Sequence, residues 1–435
     1  MTSKILNRIK DKDLKIVVVG LGYVGLPLAL KLVKAGFVVD GWELDDSKIH
    51  SLIKGKSYID HIKDEEIQEA MDTKRFLYSG IRGADCYIIC VPTPLTSHME
   101  PNLNYVKEAF SNVLGQLKKG SIICLESTTY PGTTEELLRY SYIPDEYEIG
   151  KNMYVIYSPE REDPNSKYYN DYSDVPKVVG GHTDNCRDVG CALYNSIFKH
   201  TVPVSSTKVA EASKVMENVY RSVNIALVNE LKVLFDRMDI DIWEVIEAAK
   251  TKPYGYQAFY PGPGLGGHCV PIDPFYLTWK AKEFDFRTRF IELAGEINTD
   301  MPYFVADKVI KALNTKNTPI NNSKILVLGV AYKPNINDDR ESPAHKIITL
   351  LEKEGAEVYY NDPYISKITR EWSYENNEFD YMESVSLDNL GDYDCVIIIT
   401  NHDCYNYEDI VDKSNLVVDT RNATNDIDSD KIVKA

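Results

Sequence analysis

Apolar positions along this chain follow two rhythms. The first is a set of short unbroken runs closed by glycine, proline or polar turn residues. They are Lys15–Val19, Phe37–Trp42, Cys86–Val91, Ser121–Glu126 and Tyr154–Tyr157 near the start, and Lys324–Val330, Glu357–Asn361, Cys395–Thr400 and Leu416–Asp419 near the end. Such runs predict strands of a sheet covered on both faces. The second rhythm is helical. From Ser206 to about Arg237 the chain has no glycine or proline, which predicts one helix of ~30 residues spanning ~45 Å. Residues 240–250 and 291–313 read as further helices. Strand–helix alternation at both ends and helices alone between them predict an α/β fold: two Rossmann-like α/β domains joined by a long central helix and a helical dimerisation domain. The boundaries fall at 1–205, 206–313 and 314–435, with a polar linker at 314–323. Residues 366–390 and 422–435 are polar and predict no element.

The first strand runs into Gly20-Leu21-Gly22-Tyr23-Val24-Gly25, then an apolar helix to about Lys34, a second strand, and Glu43. Strand, GxGxxG, helix, strand and acid at this spacing predict a dinucleotide site. The first glycine permits a tight turn, the second lets backbone approach a pyrophosphate, and the third lets helix and strand pack closely. Glu43 is placed to accept hydrogen bonds from ribose hydroxyls, which favours NAD over NADP. Lys48 is the one nearby cation that could instead meet a 2′-phosphate.

Composition narrows the rest. Lys and Arg number 49 against 66 Asp and Glu, a net charge of −17, which argues against nucleic acid as a partner. No run reaches the ~18 apolar residues of a membrane span, and no secretory signal is expected in the first residues. None of the eight cysteines forms a CxxC pair, and Cys86, Cys90, Cys124 and Cys395 sit in apolar runs that predict inert core. A cytoplasmic protein is the expectation, with no metal site.

Chemistry concentrates at Tyr260–Pro274, YPGPGLGGHCVPIDP, where Gly262, Gly264, Gly266 and Gly267 lead to His268 and Cys269, with Asp273 four residues on. So many glycines suit backbone passing close to something flat or bulky. A thiol at the end of such a loop suggests covalent catalysis, the alternative being a tight turn around a buried cysteine. Thr93, Thr128, Glu160 and Arg161 stand after predicted strand ends, where α/β sheets bind ligands; ordinary turn chemistry is their alternative. Lys214 and Asn218, four apart, share a helix face that could equally be a solvated one. Lys333, Arg340, His402 and Arg421 lie near strand ends of the last domain and could hold phosphate or a base, or simply pair with surface acids.

These residues occur in segments that resemble the UDP-glucose/GDP-mannose dehydrogenase family: VVGLGYVGLPLA (18–29), VPTPL (91–95), ESTTYPGTT (126–134), YSPER (157–161), KVVGG (177–181), AEASKVMENVYR (210–221), PGPGLGGHCVPIDP (261–274), GVAYKPNINDDRESP (329–343) and VVDTRN (417–422). They follow the family's order over nearly the whole chain. TKPYGYQAFYPGPGLGGHC (251–269), DPFYLTWKA (273–281) and RFIELAGEIN (289–298) are most similar to the branch of UDP-N-acetylglucosamine 6-dehydrogenases.

The resemblance implies a cytoplasmic homodimer that oxidises the sixth carbon of a UDP-sugar to a carboxylate with two NAD. It implies a 1–205 NAD-binding domain, a 206–313 dimerisation domain carrying the cysteine loop, and a 314–435 UDP-sugar domain. Cys269 is then the nucleophile, with Lys214 and Asn218 on the oxyanion, Asp273 near the thiol, Glu160 as general base and Thr128 positioning water. Cofactor roles fall on Gly20, Gly22, Tyr23, Val24, Gly25, Glu43, Lys48, Thr93, Thr128 and Arg340, the last reaching over from the second α/β domain. Substrate roles fall on Glu160, Arg161, Lys214, Asn218, Tyr260, Gly264, Gly266, Lys333 and Arg421. One departure is Pro164, where UDP-glucose enzymes carry a second glutamate; Glu162 and Asp163 stand nearby. UDP-N-acetylgalactosamine, UDP-N-acetylmannosamine and UDP-glucose remain alternative substrates. A two-electron hydroxyacid dehydrogenase and a non-catalytic NAD-responsive protein remain alternative functions.

Overall fold

The computed structural model describes residues 1–435 apart from 60–61, 79, 97–98, 162–173, 268–269 and 374–377, with backbone alone at 370–373 and 378–379. It divides into two compact units, Met1–Glu217 with Phe275–Arg287, and Asn218–Pro274 with Thr288–Ala435.

The first unit is built on eight strands: β1 Lys15–Val19, β2 Val38–Trp42, β3 Phe76–Leu77, β4 Cys86–Ile89, β5 Ser121–Leu125, β6 Met153–Tyr157, β7 Lys177–Gly181 and β8 Thr201–Val204. Their order is β3-β2-β1-β4-β5-β6-β7-β8. All neighbours are parallel except β6 and β7. The first six form the doubly wound order 3-2-1-4-5-6, whose crevice lies between β1 and β4. Apolar runs were needed because both faces are covered: β1 sends Ile16 and Val18 into one core and Val17 and Val19 into the other. The helices are α1 Thr2–Lys10, α2 Gly25–Lys34, α3 Asp46–Ile53, α4 Asp64–Asp72, α5 Asn104–Leu114, α6 Thr133–Tyr140 and α7 Asp184–Tyr194.

Helix α8, Thr207–Arg237, begins in the first unit and continues into the second; after it come α9 Ile242–Lys250, α10 Asp273–Ala281 and α11 Arg289–Thr315. The second unit carries a sheet of β9 Lys324–Leu328, β10 Glu357–Asn361, β13 Cys395–Ile398, β14 Val417–Asp419 and β15 Ile432–Lys434, in order β10-β9-β13-β14-β15 and wholly parallel. β9 likewise divides Ile325 and Val327 from Leu326 and Leu328 between two cores. Helices α12 Pro343–Lys353 and α13 Tyr407–Lys413, and the antiparallel pair β11 Lys367–Ser373 and β12 Glu378–Glu383, complete it.

The α/β architecture expected from the sequence is therefore present. Two local expectations are corrected. Residues 366–390 hold the β11–β12 ribbon and 422–435 hold β15, although both stretches are polar. β11 and β12 pair with each other, so their pattern is not that of a covered strand. The opening residues form α1, which buries Ile5 and Ile9. Several strands also end a residue or two early, as at Ile89 and Leu328, where the chain already turns toward the sheet's carboxyl edge. Among the described residues no helix is long and apolar enough to cross a membrane, and no cluster of His, Cys, Asp or Glu could hold a metal ion.

One buried acid joins α8 to the first sheet's loops. Glu211 accepts hydrogen bonds from Gly132 N at 2.5 Å and Thr134 N at 2.8 Å, and from Thr134 Oγ1 at 2.7 Å. It thus caps α6, whose own N-cap Gly132 has no side chain. Burial pushes the Glu211 carboxyl up to about 7, with the three donors opposing. Glu211→Ala leaves those donors unsatisfied in the interior, and we expect a loss of about 2–4 kcal/mol of stability, read by chemical denaturation. A loss under about 0.5 kcal/mol, the size of an ordinary surface change, would mean that the α6 cap contributes little to the fold.

Candidate functional site

The three glycines of the first loop have three different reasons for being glycine. Gly20 has φ +87°, and a Cβ there would stand 3.0 Å from the Cys90 carbonyl oxygen, across the β1/β4 crevice. A Cβ at Gly25 would stand 1.9 Å from Gly20 O, so the start of α2 packs directly on the loop. A Cβ at Gly22 would meet nothing within 4 Å. Among the described residues nothing crowds position 22, so the loop there is open to a ligand that backbone approaches. The N-cap of α2, Val24, has no side-chain cap; Leu26 N already donates to Gly22 O and Pro27 has no N–H, which leaves Gly25 N for an anion. Tyr23 is exposed beside it.

Glu43, just past β2, accepts from Leu21 N at 3.0 Å, Leu44 N at 2.9 Å and Asp45 N at 3.2 Å. Lys48 Nζ pairs with the same carboxylate at 3.5 Å. The cation that could have met a 2′-phosphate is thus engaged by the acid suited to ribose hydroxyls. The loop, the uncapped helix and the acid fit NAD.

The neighbouring strand ends are cross-tied. Thr93 Oγ1 donates to the Thr128 carbonyl at 2.8 Å, Ser127 Oγ to the Val91 carbonyl at 2.7 Å, and the Tyr276 hydroxyl to the Thr93 carbonyl. Thr129 Oγ1 is buried with no hydrogen-bond partner among the described residues, an orphan donor beside Thr128 that its polar surroundings in the sequence did not single out. Glu160 is buried at the end of β6, where its Oε2 meets Lys177 Nζ at 3.0 Å and its Oε1 accepts from Arg161 N at 2.5 Å. The Arg161 guanidinium pairs with Glu217 at 2.7 Å and donates to the Pro176 carbonyl.

On α8, Lys214 is 7% exposed and has no hydrogen bond or ion pair among the described residues. Its ammonium is unpaired but still reached by solvent, so it is available to a negative charge that a ligand brings. One turn on, Asn218 is fully buried, donates to the Asp273 carboxylate in the first turn of α10, and accepts from Arg221.

His268 and Cys269 lie outside the described residues, as do Glu162, Asp163 and Pro164. The approach to the cysteine is described. Gly262 N donates to Asn229 Oδ1 at 3.0 Å, and Asn229 in turn donates to Asn298 at 2.9 Å, a buried amide pair that tethers the loop to α8 and α11. Gly267 N donates to the Arg340 carbonyl at 2.9 Å. The flat neighbours expected of these glycines are protein groups. A Cβ at Gly266 would stand 2.6 Å from Tyr332 Cβ, at Gly267 2.8 Å from the Tyr332 ring, at Gly262 2.4 Å from the Arg421 guanidinium, and at Gly264 3.1 Å from Pro343.

The other candidates belong to the second unit. Tyr260 is half-exposed, stacked on Trp243 at 5.8 Å and bonded to Glu247 at 2.7 Å. Arg340 is held by Asp338, through Nε at 2.8 Å. Arg421 donates from Nε to the Ile399 carbonyl at 2.8 Å, and burial pushes its guanidinium down to about 10. Lys333 lies in the loop after β9, half-buried. His402 is corrected: it is fully buried, with one ring nitrogen on Asn335 N at 3.0 Å and the other on Asp362 at 3.1 Å. It pins the loop rather than offering a ring to a ligand. In both units the cysteines of the apolar runs, Cys86, Cys90, Cys124 and Cys395, are buried, and burial pushes each thiol up, as expected of inert core.

Models of the UDP-glucose/GDP-mannose dehydrogenase family match the NAD binding domain over residues 14–224, the central domain over 208–300 and the UDP binding domain over 326–426. The UDP-N-acetyl-D-glucosamine 6-dehydrogenase of Pseudomonas aeruginosa is 34% identical over 90% of this chain and 91% of its own. The UDP-N-acetyl-D-mannosamine dehydrogenase of Methanococcus vannielii is 31% identical over 96% and 94%. The solved structure of the UDP-D-ManNAc dehydrogenase from Pyrococcus horikoshii superposes with a TM-score of 0.84 at 30% identity, covering 97% of this chain and 98% of that one.

The two inner glycines give opposite expectations. Gly22→Ala leaves the melting temperature within about 2 °C but weakens NAD binding about tenfold, a cost of ~1.4 kcal/mol. Gly25→Ala lowers stability by about 1–3 kcal/mol through overpacking. Calorimetric titration and thermal melts read both. Unchanged NAD affinity in Gly22→Ala would remove the pyrophosphate from that position.

Proposed function

The chain belongs to the UDP-glucose/GDP-mannose dehydrogenase family and is an NAD-dependent UDP-sugar dehydrogenase; from that premise we propose that it oxidises the sixth carbon of a UDP-N-acetylhexosamine, UDP-N-acetylglucosamine first, from alcohol to carboxylate in four electrons. The observation that carries the proposal is Lys214, whose stem is buried and whose ammonium has no counter-charge among the described residues. Such a group is suited to charge that develops on a substrate oxygen.

NAD supplies the hydride acceptor in each of two oxidations. In the first, the hydroxyl's proton passes to water, Lys214 and Asn218 stabilise the alkoxide charge that develops on the oxygen, and loss of the carbon's hydride leaves an aldehyde. The Cys269 thiolate adds to the aldehyde carbon, and the resulting thiohemiacetal carries a second hydride to lose. Its oxidation gives a thioester on Cys269. Water, positioned by Thr128, adds to the thioester carbon; Glu160 takes the water's proton, the carbon–sulfur bond breaks, and the acid leaves. Asp273 is held by Asn218, which fixes a carboxylate four residues from the thiol in sequence. We assign UDP-sugar contacts to Tyr260, Gly264, Gly266, Lys333, Arg421 and Arg161, and a cofactor contact to Arg340. The division into 1–205, 206–313 and 314–435 is retained as the domain proposal.

The relatives' names divide between two epimers, N-acetylglucosamine and N-acetylmannosamine, which makes UDP-N-acetylmannosamine the second reading. Cytoplasm is the proposed compartment, since reducing conditions keep Cys269 a thiol. A homodimer is proposed because Tyr220, Leu227 and Leu234 recur every seven residues on α8, each about half exposed. That spacing makes an apolar seam for a second copy.

Two experiments test these proposals. With NAD in excess, two NADH should form per UDP-N-acetylglucosamine consumed, with UDP-N-acetylmannosamine, UDP-N-acetylgalactosamine, UDP-glucose and GDP-mannose in parallel. Cys269→Ala should release no acid. One NADH per sugar, or acid from Cys269→Ala, would overturn the four-electron mechanism; two NADH only with another sugar would overturn the choice of substrate. In the ultracentrifuge the protein should sediment as a dimer and Leu227→Glu/Leu234→Glu as a monomer. A wild-type monomer would remove the dimer.

A further inference from the structure

A buried charge cluster lies at the carboxyl edge of the first sheet, and no role assigned so far uses all of it. Because β7 runs antiparallel to β6, with Tyr157 opposite Gly180, the start of β7 lies beside the chain leaving β6. That start is Lys177, whose side chain is 1% exposed. Its ammonium donates to Glu126 Oε2 at 2.9 Å and to Glu160 Oε2 at 3.0 Å. Glu126, immediately after β5, accepts from the Tyr194 hydroxyl at 2.5 Å through its other oxygen. That hydroxyl lies 2.9 Å from Cys124 Sγ. The rings of Tyr194 and Phe198 sit 5.4 Å and 5.3 Å from the ammonium. Among the described residues the titratable groups that face Lys177 are thus Glu126, Glu160, Tyr194 and the thiols of Cys90 and Cys124.

Two carboxylates therefore compete for one ammonium where little water enters. Burial raises the Glu126 carboxyl, with Lys177 opposing, and the two acids together hold the Lys177 ammonium above its usual range. This sharing matters for a base. While Glu160 is ionised it shares Lys177. Once Glu160 has taken a proton, Lys177 can turn wholly to Glu126, so the lost pair is partly made good. The cluster then makes proton uptake at Glu160 less costly than it would be beside a dedicated lysine.

Resting on the assignment of Glu160 as the base for thioester hydrolysis, we infer that Lys177 is a positioning residue for Glu160, and that Glu126 tunes the base by competing for the same ammonium.

The test is the pH dependence of acid release in single turnovers of the full enzyme. Glu126→Gln keeps shape and hydrogen bonding while removing one negative charge. Lys177 then serves Glu160 alone, the carboxylate is favoured, and the acidic limb moves to lower pH by about one unit, with the plateau rate about tenfold lower for a weaker base. Lys177→Met should move the limb to higher pH; where that variant does not fold, Glu126→Gln carries the test. KM for NAD and UDP-sugar should stay within twofold in Glu126→Gln. A purely structural role would lower the melting temperature and leave the limb in place, which overturns the inference. Glu160→Gln separates the two layers. If it releases acid at the wild-type rate, Glu160 is not the base and both layers fall. If it abolishes release while Glu126→Gln leaves the limb unmoved, Glu160 stands and Lys177's role falls.

Discussion

In both sheets the first strand ends at a glycine pressed against the chain across the crevice, and much of the molecule depends on that contact. Gly20 turns at φ +87° with the Cys90 carbonyl 3.0 Å from where a Cβ would be; Gly329 turns at φ +78° with the Thr400 carbonyl 2.4 Å away. A left-handed turn this tight excludes a side chain both conformationally and sterically. It also lets the loop fold back over the strand ends, where a doubly wound sheet opens its crevice. After Gly20 the chain enters an uncapped helix and becomes a cradle for a dinucleotide. After Gly329 it enters the loop of Tyr332 and Lys333, held by Asp362 through Val330 N and Ala331 N at 2.8 Å and 3.0 Å. The same backbone device serves two ligand classes because the segment beyond the glycine differs between the sheets.

The nine parallel strands β1, β2, β4, β5, β6, β9, β10, β13 and β14 were legible because their apolar runs are unbroken, and α8 because thirty-one residues pass without glycine or proline. The β11–β12 ribbon and β15 were not. Neither is sandwiched between two apolar layers, so neither leaves a run to see. Of the site, the glycine loop and Glu43 could be read from spacing, since each depends on backbone geometry local to the motif. Glu211, Lys177 and Glu126 could not, because their partners lie 77–79, 51 and 17 residues away. The signal available was only a charged residue where the pattern asked for core: Lys177 opens a strand buried throughout.

The glycines before the cysteine illustrate how a correct local inference can stop short. Their number implied a close, flat neighbour. The Tyr332 ring, the Arg421 guanidinium and Pro343 are such neighbours, so the chain itself accounts for the missing side chains. A backbone held on one side by protein still offers its N–H groups and carbonyls on the other. Asn229 makes the tether specific: one buried amide holds both Gly262 N and Asn298. An apolar side chain there would leave a buried polar group unmet on each of them.

The chain's acidity and its anionic ligands are reconciled by where its cations are spent. A net charge of −17 sets a field screened within about 10 Å by salt, whereas a buried cation acts at contact range and is screened far less. The first unit buries two lysines at the candidate site, and they differ in their company. Lys177 has two carboxylates and is neutralised within the fold; it has nothing left to offer a ligand and can act only through its partners. Lys214 has no ion pair among the described residues. An unpaired ammonium at the edge of the interior is available when negative charge arrives. Counting partners, rather than counting charges, therefore separates the lysine proposed to position the base from the one proposed for the oxyanion.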